Sequence, residues 1–533
     1  MNWLDLLANV EHGLDRNDPM YARITAGIRK AILAGQLADN SRLPTNRELA
    51  TLLKIDRSTV SRAYLELSQS GFIDSHVGRG TFVRPLAQRG ATYRTSDGAN
   101  DVSTDSGLNW SDKFSESSRT SLDLISRQPA GTNQRDMISF AGGIPTEEFY
   151  PNDQFQRIVS QLLKSEHAAK MFGYSAADGS PYLRAQVKNH LQSHGIECGD
   201  DELLIVSGSQ QGIDLVTNVL VDPGDLVVLE DPSYFWAICN FRARQAKCLP
   251  VSMDDDGIRL DLLESYLSGQ KAKLLYVMPS FQNPTGATMS LPRRIALLEL
   301  AKKYQVPILE DNFVGDLVYG DTPLPPLRSL PGGKDVVIHQ GTFSKALCPG
   351  LRLGWLVAPP EVTARLLLAK RTSDLSTNSI AQIILAKYLE EGLYSKHLEH
   401  VRLSYRSRRD AMLAALSRRL SGRLADDDGA KLTWSRPDGG LFIWAKLAKG
   451  LSAREFLTFA EMQGVSFSPG DMFFLNGGHS EYFRLCFIQT EESIIEEGIE
   501  RLGKAMRSYL QTVARSSLSE VSGGARERNN VLI

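Results

Sequence analysis

The sequence predicts a multidomain chain, with a small α+β head followed by a large α/β body. Three observations carry this. At 533 residues the chain is too long for one ordinary hydrophobic core. Residues 19–84 read as short helices closed by two β segments. Beyond residue 138, apolar runs of strand length (LLIVSG, LVVLEDP, KLLYVMP, VPILEDN, VVIHQGTFSK, LGWLVAPP) alternate with helical stretches. That alternation is the pattern of a parallel or mixed sheet covered by helices. The expected divisions are a head at 15–84, a linker at 85–137, a body at 138–510 and a tail at 511–533. The linker is dense in Ser, Thr, Asp and Gly, too poor in large apolar side chains to offset its ordering entropy, with local docking expected only around Leu122 to Ile125. The tail, SSLSEVSGGARERNNVLI, is expected to be disordered.

Composition narrows the function classes. Apolar residues at 42% and charged residues at 23% fit an ordinary globular protein. A net charge of −2 excludes polyanion binding by bulk electrostatics, so any nucleic-acid role needs a local basic region. From Tyr21 to Arg84 there are ten basic against five acidic residues. Five scattered cysteines, without a C-x-x-C pair or a histidine at metal spacing, argue against a disulfide framework and against zinc, so no metal is expected. The first residues lack the basic start and apolar stretch of a signal peptide. No run approaches the roughly 18 apolar residues of a membrane helix. A cytoplasmic, reducing location is expected, with no membrane partner.

In the head, Pro19 opens a helix at its favoured first-turn position and Gly35 caps it. Ile24, Ile28, Ala31 and Ile32 give that helix an apolar stripe. Thr45 and Glu48 have the spacing of a capping box, which starts a second helix ending near Leu53. Lys54-Ile55-Asp56 separates it from a third, RSTVSRAYLELSQSG, stopping at Gly71. This is helix-turn-helix geometry. With Val60, Ala63, Tyr64 and Leu67 facing the core, Arg57, Ser58, Thr59, Ser61 and Arg62 remain for DNA, with Arg47 beside them. Arg reads guanine bidentately, while Ser and Thr bind phosphates or bases. FIDSHVGRGTFV supplies two β segments and a wing tipped by Arg79. The whole stretch from Leu43 to Val83 resembles the GntR family of winged helix-turn-helix regulators, which implies binding to double-stranded promoter DNA. Ala38-Asp39-Asn40 departs from the family, where a Pro-Gly turn is commoner.

The body carries groups suited to a phosphorylated aldehyde: an amine, a carboxylate for the ring nitrogen, phosphate donors and a stacking wall. The amine is Lys345, in Gly-Thr-Phe-Ser-Lys after the strand VVIHQ. The carboxylate is Asp311, ending VPILED. Asn283, in Asn-Pro-Thr-Gly after a strand, can donate to the ring 3′-oxygen. Ser209, Gln210 and Gln211 open a helix whose N–H groups face an anion. Thr342 and Arg352 add further phosphate donors, and Tyr234 is the stacking candidate.

These motifs, in this order, resemble the fold-type-I aminotransferases of class I/II over residues 138–510. The resemblance implies pyridoxal 5′-phosphate as cofactor, a seven-stranded large domain, a small domain, and a homodimer, head-to-tail, that shares its sites. It also implies that Tyr174 reaches the neighbouring subunit's phosphate and that Arg484 binds an amino-acid α-carboxylate, with Phe140 to Gly143 at the entrance. One position departs: Phe313 stands where a tyrosine hydroxyl commonly supports the 3′-oxygen. Head, linker and body together resemble the MocR subfamily of GntR regulators. There the cofactor, with or without an amino acid or amine forming an external aldimine, is the sensed ligand. The alternative is a working aminotransferase carrying a DNA-binding head.

Overall fold

A computed structural model describes residues 20–33, 36–53, 55–69, 72–76, 80–84, 110–125, 136–320, 323–420 and 432–528. The chain divides into two compact units, one of Met1–Leu108, Arg454–Gln463 and Lys504–Ile533, the other of Asn109–Ala453 and Gly464–Gly503; the head and the sheet-bearing body are described separately. In the head, helices Met20–Leu33, Asn46–Leu53 and Arg57–Gln69 follow the predicted boundaries. Pro19, Gly35, Lys54 and Arg79 lie outside the described residues. The capping box forms as its spacing requires. The Thr45 N–H donates to Glu48 at 2.8 Å, and the Glu48 N–H donates to Thr45 Oγ1 at 3.2 Å. Ile24, Ile28, Val60, Ala63 and Leu67 are all fully buried. Tyr64 joins them and donates its hydroxyl to the Pro44 carbonyl at 2.8 Å. The wing strands Ile73–His76 and Gly80–Val83 pair antiparallel, and Arg42–Leu43 adds a third strand. The departure at Ala38-Asp39-Asn40 has a conformational answer. Asn40 takes φ +60°, the left-handed region that a glycine would otherwise supply and that Asn tolerates.

The body holds a mixed sheet of seven principal strands, extended at one edge by the two-residue strand Gly257–Ile258. From that edge the order is Lys247–Asp254, Leu226–Asp231, Leu274–Val277, Ile308–Asp311, Val337–Thr342, Gly354–Val357 and Leu203–Val206. The first five of these run parallel; the last two are antiparallel to their neighbours. Leu203–Val206, Leu274–Val277 and Gly354–Val357 are buried at every position, which is why they read as continuous apolar runs without alternation. Loops carrying Asn283, Asp311 and Lys345 all leave the same, C-terminal ends of neighbouring parallel strands, where ligands of open α/β sheets bind. A second, antiparallel sheet is built from Thr433–Trp434, Phe442–Lys446, Tyr482–Cys486 and Ser468–Pro469.

Two sequence expectations are corrected. The stretch read as a linker contains a 3-10 turn at Trp110–Lys113 and a helix at Glu116–Ile125. This helix packs against the helix Phe235–Ala243, and Gln245 donates to Glu116 at 3.0 Å. A polar ten-residue helix is marginal alone; the docking surface that holds it is about 120 residues away in sequence. The side chains of Leu122 to Ile125 lie outside the described residues. The expected disordered tail is helical as far as Arg528, continuing the helix Glu492–Arg528. Its buried stripe of Ile495, Ile499, Leu502, Met506 and Tyr509 anchors the start. Propagation beyond an existing nucleus adds one hydrogen bond per residue fixed.

Candidate cofactor and effector site

Lys345 lies three residues beyond the strand Val337–Thr342, and its Nζ donates to the Gly143 carbonyl at 2.9 Å. Burial pushes its amine below the usual lysine range, with Arg484 and Arg352 adding to the effect. A lysine so placed more readily offers the free amine that attacks a carbonyl. Asp311 is buried at the end of its strand, which pushes its carboxyl up. Its Oδ2 accepts the Tyr276 hydroxyl at 2.6 Å, whereas its Oδ1 is buried with no hydrogen-bond partner. An unmatched buried carboxylate oxygen is costly unless a cation or donor meets it. A protonated pyridine nitrogen is such a donor.

Arg484 is buried, which pulls its guanidinium down to about 10. Its Nη1 donates to Asn283 Oδ1 at 2.7 Å, and its Nη2 donates to the Ala141 and Gly142 carbonyls at 2.8 and 3.1 Å. Its Nε is buried without a partner. Phe442 and Phe473 lie over the guanidinium, with ring centroids at 3.9 and 4.8 Å. The arginine is thus fixed by Asn283, two carbonyls, Ser468 Oγ at 3.3 Å and two rings, with its Nε–H left to give to a carboxylate. Because Asn283 spends its oxygen on Arg484, its amide hydrogens remain to donate.

At the phosphate end, Gly208 (φ +91°) precedes the helix Ser209–Leu220. A Cβ there would come within 2.7 Å of the Arg352 guanidinium, so glycine lets Arg352 lie across the first helical N–H groups. The Gln211 N–H donates to the Gly208 carbonyl at 3.1 Å, and the N–H groups before it, at the start of the helix, could cup an anion with Arg352. Tyr234 immediately precedes the helix Phe235–Ala243 and donates to Gln210 Oε1 at 3.4 Å. The side chains of two expected phosphate residues also have partners within the protein. Gln211 accepts the Ser207 N–H at 2.7 Å and donates to Asp374 at 2.9 Å. The Thr342 hydroxyl faces Leu353 O and Ser344 Oγ, both at 3.0 Å, and so stiffens the turn carrying Lys345. Tyr174 is 90% exposed and Phe172 71%.

Comparison with known proteins agrees with this arrangement. Residues 136–502 match the family model "Aminotransferase class I and II", and residues 20–83 match "Bacterial regulatory proteins, gntR family". The chain belongs to the aminotransferase class I and II family. It is also 30% identical to the uncharacterized HTH-type transcriptional regulator YisV of Bacillus subtilis (strain 168), over 93% of this chain and 97% of the other. It is 28% identical to the "Probable rhizopine catabolism regulatory protein MocR" of Rhizobium meliloti, over 92% and 94%. Among solved structures, the α-aminoadipate aminotransferase LysN of Thermus thermophilus superposes with a TM-score of 0.68 at 36% identity, over 76% of this chain and all of the other. The chain is therefore a GntR-type head fused to a fold-type-I aminotransferase body, the MocR layout, and pyridoxal 5′-phosphate is the cofactor of such a body.

The residues present fit that group: the orphaned Asp311 oxygen, the Lys345 amine and the Gly208–Arg352 cradle each answer one part of it. When bound, the cofactor supplies an electron sink. Phe313, where a hydroxyl is commoner, instead packs its ring on the same apolar cluster as Tyr234. Sequence reasoning missed Tyr276, whose only signal is its place in KLLYVMP, on the strand paired with that of Asp311. It also missed Phe442 and Phe473, which carry no local signal.

In the head, Arg47, Arg57 and Arg62 are exposed and Thr59 is half-buried. Arg62 stacks on the Tyr21 ring at 3.9 Å. Ser61 accepts from Asn46 at 3.0 Å, which ties the second helix to the third. The side chain of Ser58 lies outside the described residues. Among the described residues no helix is long and apolar enough to cross a membrane.

Proposed function

We propose that this chain is a cytoplasmic, ligand-responsive transcription regulator. Its body holds pyridoxal 5′-phosphate on Lys345 and captures the carboxylate of an amino acid, or an amine, as effector. The observation that carries the reading is the buried Arg484 with its spare Nε, in a chain that also bears a DNA-binding head. Capture of a carboxylate there draws Phe140 to Gly143 and the small-domain strand Tyr482–Cys486 toward Lys345. That closure biases a two-state equilibrium which the heads read on promoter DNA. Arg47, Arg57, Ser58, Thr59, Ser61, Arg62 and Arg79 are the proposed DNA contacts. The assembly is a head-to-tail homodimer in which exposed Tyr174 serves the neighbouring subunit's phosphate.

Turnover as an aminotransferase is the second reading. Lys345, Asp311, Asn283 and Arg484 support it, and identity to LysN exceeds that to YisV or MocR. One experiment separates the two. Amino acids are added singly to the holoprotein while visible absorbance, keto-acid formation with 2-oxoglutarate and promoter binding are followed. A spectral shift with altered promoter binding and no sustained keto acid is expected. Steady keto-acid production with unaltered DNA binding would favour the enzyme. If Lys345→Ala left both spectrum and DNA response unchanged, the site itself would be wrong.

A further inference from the structure

Away from the Lys345 constellation, the body gathers three side chains that the cofactor chemistry does not use. His190 lies in the last turn of the helix Pro181–Ser193, and His194 is the residue that ends it. Four residues apart, they share one face, with ring centroids 4.7 Å apart. Asp316, five residues beyond Asp311, faces both. His194 Nε2 is 3.0 Å from Asp316 Oδ1, and His190 Nε2 is 3.5 Å from Asp316 Oδ2. All the ligand atoms of this trio lie within 4.8 Å of one another.

His194 Nδ1 is 3.0 Å from the His190 carbonyl, which only accepts, so Nε2 is the ring nitrogen left to bind a cation. His190 Nε2 converges on the same carboxylate, so one divalent ion can engage both imidazoles and Asp316 at once. We infer that His190, His194 and Asp316 form a binding site for a divalent transition-metal ion, with Zn2+ the ion best suited to two imidazoles and a carboxylate.

The geometry agrees. Ligand bonds of about 2.0–2.1 Å in a tetrahedral site put donor atoms roughly 3.3 Å apart, and the donor atoms of this trio all lie within 4.8 Å of one another, with the two rings on the two oxygens of one carboxylate. The outer contacts are those of an oriented ligand set. Tyr394 donates its hydroxyl to Asp316 Oδ2 at 2.5 Å, and Arg402 Nε donates to the Asp316 carbonyl at 2.6 Å. The three residues line a cavity of about 20 Å3 that Asn312 also faces, room for one water as fourth ligand. An ion there clamps the helix Pro181–Ser193 to the segment that begins at Asp311.

The test uses full-length protein freed of metal with a chelator, with Co2+ as spectroscopic probe and Zn2+ as competitor. Expected is one Co2+ per chain, displaced by Zn2+, with visible ligand-field bands and no thiolate charge-transfer band. His190→Gln combined with His194→Gln weakens binding more than about 100-fold, beyond the 10–100-fold that outer-shell changes cost. Asp316→Asn weakens it as a single variant. Retention of the Lys345-bound cofactor's absorbance certifies that each variant folds. No stoichiometric Co2+ uptake by the wild type, undiminished uptake in folded variants, or a thiolate band would each overturn the assignment.

Discussion

At the residue scale the site is organised by polar atoms left over after the protein has matched the rest. Asp311 gives one oxygen to Tyr276 and keeps the other; Arg484 gives both terminal nitrogens away and keeps Nε. Such remainders are costly in a finished core, and at these two residues they suit a ligand. Glu230 shows the same economy without a ligand role. It is fully buried, accepting from the Met278 N–H at 3.1 Å and from Gln282 at 3.3 Å, and burial pushes its carboxyl up to about 8. On unfolding the carboxyl returns to the ordinary range near 4.5. Between those values the unfolded chain has released a proton that the folded chain keeps. Stability from this group is therefore full below pH 4.5 and is lost as pH rises toward 8. Glu230→Gln should flatten that part of the stability–pH curve, measured by chemical denaturation at stepped pH. An unchanged slope would show that Glu230 is not its source.

At the element scale, the secondary structure was most legible where local chemistry alone sets it. The capping box at Thr45 and Glu48 and the buried strands around Leu204, Tyr276 and Trp355 all appear where their spacing puts them. Thr45→Ala should destabilise the second head helix by about 1 kcal/mol. In the full-length chain this reads as roughly fivefold faster hydrogen exchange across Asn46–Leu53, with body amides unchanged. Exchange no faster than wild type would mean that tertiary packing, not the cap, holds the helix. The misread elements, Glu116–Ile125 and the end of Glu492–Arg528, share one cause. Both are polar, and each depends on something outside its own window: a distant docking partner in one case, a helix already nucleated in the other.

At the scale of the whole molecule, the proposed shared dimer makes a prediction that single chains cannot. Lys345→Ala removes the amine and Tyr174→Phe removes a phosphate contact, and each homodimer should hold cofactor poorly. In a mixed dimer one site carries both defects and the other neither. Cofactor titration of mixed dimers should therefore recover one wild-type site per dimer. If Tyr174 served its own chain's site, no wild-type site would return.

The sequence by itself determined the order of head and body, the helix-turn-helix, the strand-end positions of Lys345, Asp311 and Asn283, and the family. These are legible because periodicity, caps and turn residues act over a few positions. Only the tertiary structure decided which side chains meet. It brought Lys345 to Gly143 and Arg484 to Asn283 across about 200 residues of sequence, gave the Gln211 side chain to Ser207 and Asp374, and set His190 and His194 against Asp316. Contacts at that separation depend on sheet order and loop path, which no local window encodes.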